Sequence, residues 1–194
     1  SGFEAATHPV AKGMDDVIKR DKSVDALHRA IIAYLGRISS SSLRDEDGRD
    51  VLRLLEVANS LEYIGDRVAI GIATSAQKRI NEGGKQNQER TANLENINRN
   101  IVAALEDAIR AVVQQDSELA KDVRERKVGL NRLRMEFERQ GATLLTGDKA
   151  YLASYVREME FLEILNSIFR TARSIARVQL AEGNQRETER EAEE

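Results

Sequence analysis

Two stretches decide the fold: Asp21-Lys22-Ser23-Val24-Asp25-Ala26-Leu27-His28-Arg29-Ala30-Ile31-Ile32-Ala33-Tyr34-Leu35 and Leu61-Glu62-Tyr63-Ile64-Gly65-Asp66. In the first, Val24, Leu27, Ile31 and Leu35 recur at three- and four-residue steps, a stripe that Val17 and Ile38 extend at either end. That spacing predicts an amphipathic helix over about 15–41. In the second, the stripe Leu54, Ala58, Leu61, Val68 and Ile72 predicts another long helix over about 50–80. Between them, Ser39-Ser40-Ser41-Ser42-Leu43-Arg44-Asp45-Glu46-Asp47-Gly48 is polar and rich in N-cap residues, so a turn belongs there.

Each helix carries a pair of carboxylates four residues apart, Asp21 with Asp25 and Glu62 with Asp66, which puts each pair on one helix face one turn apart. Residues that face each other across an antiparallel hairpin have numbers with a constant sum. Asp21 with Asp66 and Asp25 with Glu62 both sum to 87, so the pairs lie level and their midpoint falls in the polar turn. Four carboxylates at one height raise one another's pKa unless a cation neutralises them. Oxygen ligands suit Mg²⁺, Ca²⁺, Mn²⁺ or iron, and zinc is also compatible. In a chain that is 32% charged, such pairs also occur on ordinary solvated helix faces, and spacing alone leaves both readings open.

Working outward, Asn81 to Gln88 is polar with Gly83-Gly84 and reads as a linker. Leu94, Ile97, Ile101, Ala104, Ala108 and Val112 mark a third helix. Leu119, Val123, Leu130, Leu133 and Phe137 mark a fourth, Gly141 to Asp148 a turn, and Tyr155, Leu162, Leu165, Phe169, Ala172 and Ile175 a fifth helix from about Lys149. The tail from Glu182 to Glu194 has six Glu and two Arg without an apolar stripe, so disorder or fraying is expected there.

The pattern repeats. Lys127-Val128-Gly129-Leu130-Asn131-Arg132-Leu133 aligns with the segment starting at Asp21, and Leu162-Glu163-Ile164-Leu165-Asn166-Ser167 with the segment starting at Leu61. The equivalent positions Lys127, Asn131, Glu163 and Ser167 keep the constant sum, now 294, but only one remains a carboxylate. The hairpin is retained there, and no metal cluster is expected. Ahead of the first hairpin stand only residues 1–20, interrupted by Pro9, the chain's one proline. A helix of the first bundle is therefore expected to be truncated or supplied from elsewhere. The resulting division is 1–82 and 91–181 for the two units, 83–90 for the linker and 182–194 for the acidic tail.

Composition narrows the function. The 194 residues include no Cys, which removes disulfides, thiolate metal sites and cysteine nucleophiles. A net charge of −3 from interspersed charges provides no basic field for nucleic acid. No apolar run approaches the roughly 20 residues of a bilayer span, and the start lacks a signal-peptide core. Beginning at Ser1-Gly2-Phe3 without Met, the chain reads as a piece of a longer protein. A carboxylate-bridged di-iron enzyme needs Glu-x-x-His on two helices. Neither His8 nor His28 has a Glu three residues before it, so enzyme activity is not expected.

The paired motif, an acidic residue then Asp four residues later on each of two adjacent helices, resembles that of PhoU proteins. The run Val24 to Leu35 is most similar to the PhoU-like domain at the C-terminus of bacterial sodium/phosphate cotransporters. The resemblance implies an all-α fold of tandem antiparallel helical bundles, two degenerate three-helix units. It also implies a metal site at Asp21, Asp25, Glu62 and Asp66, with iron or zinc as the ion and Mg²⁺ or Mn²⁺ as further candidates. The partners implied are a membrane transporter domain of the same polypeptide, or a second copy of the chain, at the cytoplasmic face of the bacterial inner membrane. The function implied is regulation of phosphate transport. A free-standing PhoU regulator of a phosphate ABC transporter and its histidine kinase is an alternative, as is a metal-free helical interaction module. Ser60 departs from the pattern, standing where PhoU sequences often carry an acidic residue.

Three neighbours of the motif complete the expectations. His28, three residues after Asp25, reads as a partly exposed helix histidine more readily than as a further ligand. Gly65 costs about 1 kcal/mol against alanine inside a helix and so marks the close approach of a neighbouring helix. Arg29 and Arg67 read as surface arginines.

Overall fold

The structure, a computed structural model, describes residues 2–40, 44–82, 87–147 and 151–193. Its elements are six helices: α1 Gly2–Ser39, α2 Asp45–Glu82, α3 Gln88–Gln114, α4 Ser117–Glu125, α5 Lys127–Gly147 and α6 Leu152–Glu193. No strand occurs among the described residues. Among the described residues, no helix is long and apolar enough to cross a membrane.

The helix ends follow local chemistry. Asn87 caps α3, its side-chain oxygen accepting the Arg90 amide at 3.1 Å. At the other end Gln115 turns left-handed at φ 55° and Asp116 caps α4 by accepting the Leu119 amide at 2.9 Å. These caps satisfy amide groups that a helix leaves unpaired at its N-terminus.

Four sequence expectations give way. First, α1 runs unbroken through Pro9. A proline inside a helix costs about 3 kcal/mol, but Ala5, Ala6 and Ala11 around it favour helix strongly. Second, the expected fourth helix is divided at Arg126 into α4 and α5. Arg126 donates to Asp122 on α4 and to Asp107 on α3, the latter at 2.6 Å, so the break is pinned by charge-assisted hydrogen bonds. Third, α5 continues through Gly141 to Gly147, because Ala142, Leu144 and Leu145 sustain it and one glycine is a small penalty. Fourth, the acidic tail does not fray at Glu182; it is the continuation of α6 to Glu193.

In space the chain forms two compact units, Ser1–Lys85 with Ala150–Ile164, and Gln86–Lys149 with Leu165–Glu194. Residues 150–164, placed by sequence order in the second unit, thus group with α1 and α2 and give the first unit its third helical segment. The interior of the first unit holds Leu35, Val51, Val57, Ala58 and Ile64 together with Tyr151 and Leu162. Gly71 is part of this packing: a Cβ there would stand 2.5 Å from Ile164 Cδ1, a distance that requires the isoleucine to move. Two residues of the expected stripes point outward instead, Leu27 at 62% exposure and Leu54 at 41%.

The second unit is drier. Ala104, Ala108 and Ala111 of α3, Ala120 and Val123 of α4, and Ala172, Ile175 and Ala176 of α6 have no exposed surface at all. Small residues on several helices let backbones approach closely and pack at the density of a crystal. One charge enters this interior: Arg90, 2% exposed, stacks 3.8 Å from the Phe137 ring centre and donates to the Phe137 carbonyl at 2.7 Å.

Candidate metal centre

α1 packs against α2 along the hairpin, and the register is the one the carboxylate spacing implies. His28 Nε2 on α1 lies 2.8 Å from Asn59 Oδ1 on α2, and 28 and 59 also sum to 87. Asn59 is not among the residues the sequence motif singles out, although that shared sum was available as a signal. His28 is accordingly a cross-helix hydrogen-bonding residue one turn beyond Asp25.

On the other side of Asp25, Asp21, Asp25 and Asp66 each present a carboxylate oxygen, and these three oxygens all lie within 4.8 Å of one another. Asp21 and Asp25 are half-buried and Asp66 is exposed, so the group opens to solvent on the α2 side. Glu62, half-buried and one turn before Asp66, does not belong to the set of mutually close oxygens. The hairpin therefore gathers three of the four residues of the acidic motif.

The electrostatics are those of like charges held close together. Burial, followed by the charges of Asp25 and Asp66, pushes the Asp21 carboxyl above the usual carboxylate range. Asp21 Oδ1 is shielded from solvent and has no hydrogen-bond partner among the described residues, a costly condition for a group that is acceptor-only when ionised. A cation would satisfy both needs, and an all-oxygen donor set of this kind fits a hard or intermediate divalent ion. Arg67 does not meet that need through its hydrogen bond, which its Nε makes to the Tyr63 hydroxyl at 2.9 Å while its guanidinium stacks 5.1 Å from the Tyr63 ring centre. Arg29 is exposed on α1.

The equivalent positions of the second copy have different surroundings. Lys127 and Glu163 are exposed, Asn131 is half-buried, and Ser167 is buried at 6%. Of these four side chains only Glu163 is a carboxylate, and Lys127 is a cation.

An all-helical chain with an acidic cluster spanning one hairpin defines a class of bundle proteins. Comparison with known families makes it specific: the PhoU domain matches residues 3–70 and 94–179, and the chain belongs to the PhoU domain family. Among solved structures, the crystal structure of PhoU from Pseudomonas aeruginosa is similar over 93% of this chain and 87% of that one, with TM-score 0.79 and 21% identity. That likeness shows the shared fold. No curated protein sequence matches the chain. PhoU is a regulatory family.

Proposed function

We propose that this chain is a metal-binding regulatory domain for phosphate transport, carried by a sodium-dependent phosphate cotransporter at the cytoplasmic face of the bacterial inner membrane. Membership of the PhoU family supports phosphate-transport regulation. The cotransporter setting is supported by the run Val24 to Leu35. The metal reading is carried by one observation: three aspartate oxygens from two helices lie within 4.8 Å of one another, and Asp21 Oδ1 is shielded with no hydrogen-bond partner among the described residues.

Asp21 and Asp25 of α1 and Asp66 of α2 hold the ion, and Glu62 adds a fourth carboxylate in the same hairpin register. The ion is iron or zinc by family resemblance. A bound divalent cation supplies positive charge that neutralises the cluster and ties α1 to α2. The chain's own part is to fix the helical surface of the first unit, with the His28–Asn59 hydrogen bond holding the register one turn away. That surface, set by the clamp, is what a transporter domain reads.

Elemental analysis of protein purified without an affinity-metal column tests this. Metal retained by the wild type and lost by Asp66→Asn is the expected result. A metal-free wild type whose melting is unchanged by Asp25→Asn and Asp66→Asn would instead favour the plain interaction module. Transmembrane segments encoded upstream in the same gene distinguish the cotransporter domain from the free-standing regulator.

A further inference from the structure

We propose that Gly65 is a positioning residue for the acidic site, setting the distance between α1 and α2 at which Asp21, Asp25 and Asp66 can share one ion. The proposal rests on the metal reading above and adds a residue that has no ligand atom of its own.

Gly65 immediately precedes Asp66 on α2. A Cβ at this position would stand 3.2 Å from Val24 Cγ1, 3.7 Å from Val24 Cβ and 3.8 Å from Asp21 Oδ1. The three nearest atoms it would meet thus all belong to the α1 segment that carries Asp21 and Asp25. The 3.2 Å contact is tighter than side chains normally tolerate, so something must give by a few tenths of an ångström. Val24 gives poorly, because a β-branched residue in a helix has one strongly preferred χ1 and its Cβ is fixed by the backbone. The strain therefore falls on the spacing of the helices, and with it on three oxygens that now lie within 4.8 Å of one another. Metal sites are sensitive to displacements of this size. Other glycines of the hairpin differ: among the described residues a Cβ at Gly36 or Gly48 meets nothing within 4 Å, and the nearest atoms to one at Gly71 belong to Ile164 rather than to α1.

The test is calorimetric titration of the metal-stripped chain with Zn²⁺ and with Mn²⁺, each alone, paired with thermal melting of the metal-free proteins. Gly65→Ala should weaken binding about tenfold or more, the scale at which supporting residues act on metal sites. Gly36→Ala should leave affinity unchanged. The decisive variant is Gly65→Ala with Val24→Ala, which removes Cγ1 and leaves the 3.7 Å approach to Cβ as an ordinary contact. Affinity should return toward wild type in this double variant even though its metal-free melting temperature falls with the loss of the valine methyls. A merely structural glycine would show no such opposite movement. Unchanged affinity in Gly65→Ala, or no recovery in the double variant, overturns the proposal while the metal reading stands. Failure of the wild type to bind either ion overturns the metal reading and this proposal with it.

Discussion

Between α1 and α2 the facing residues include three clustered aspartates and a histidine–asparagine pair, whereas the second unit is closed by alanine, valine and isoleucine side chains without exposed surface. Both units come from one helical pattern, yet they solve the problem of holding helices together differently. The second unit relies on dispersion and burial, which need nothing from outside. The first places like charges at its helix interface, where each raises the cost of the others. Its stability is thereby linked to whatever neutralises the cluster. A repeat can keep one copy for packing and leave the other open to a ligand.

The comparison breaks most visibly if the second unit is opened. Phe137→Ala removes a ring that is 1% exposed and supports Arg90, and should cost about 3–5 kcal/mol. Its melting temperature should drop by the same amount with and without added metal. A drop that depended on metal would show that the two units are not separately stabilised.

The next largest effect belongs to the first unit. Saturation with the bound ion at about one hundred times its dissociation constant should stabilise the wild type by about 2.7 kcal/mol relative to chelated protein. Hydrogen exchange should slow in α1 and α2 and stay unchanged in α3 to α5, and Asp66→Asn should abolish the difference. A smaller change, about 1 kcal/mol, is expected from Asn87→Ala, which removes the α3 cap. Urea denaturation of the chelated and loaded protein should register it equally.

The subtlest prediction concerns pH in the chelated chain. Because the Asp21 carboxyl is raised when folded, between its unfolded and folded titrations the folded state holds a proton that the unfolded chain has released. Stability from this group is therefore greatest at low pH and declines as pH rises from the ordinary carboxylate range through the raised value. Asp21→Asn should flatten that part of the profile, measured as the difference between the two proteins' melting curves. No difference in slope would remove Asp21 from the strained cluster.

Much of this was legible in the residues. Helix periodicity, the hairpin register and three members of the acidic cluster follow from spacing, because an α-helix returns to the same face every three or four residues and an antiparallel pair preserves a sum of residue numbers. Asn59 was equally reachable by that sum. Leu27 shows the limit: it continues the stripe of Val24 and Ile31 but is exposed, since a stripe gives a face and not the neighbour that covers it.

The sequence by itself determined the all-helical class, the pairing of the first hairpin and the loss of acidic chemistry in the second copy, all of which depend on residues near one another in the chain. Only the tertiary structure decided that residues 150–164 complete the first unit and that Glu62 stands apart from Asp21, Asp25 and Asp66. It also showed that Gly65 meets Val24 and Asp21. These depend on which surfaces meet and how closely, and that is settled by the summed packing of side chains distant in sequence rather than by any local preference.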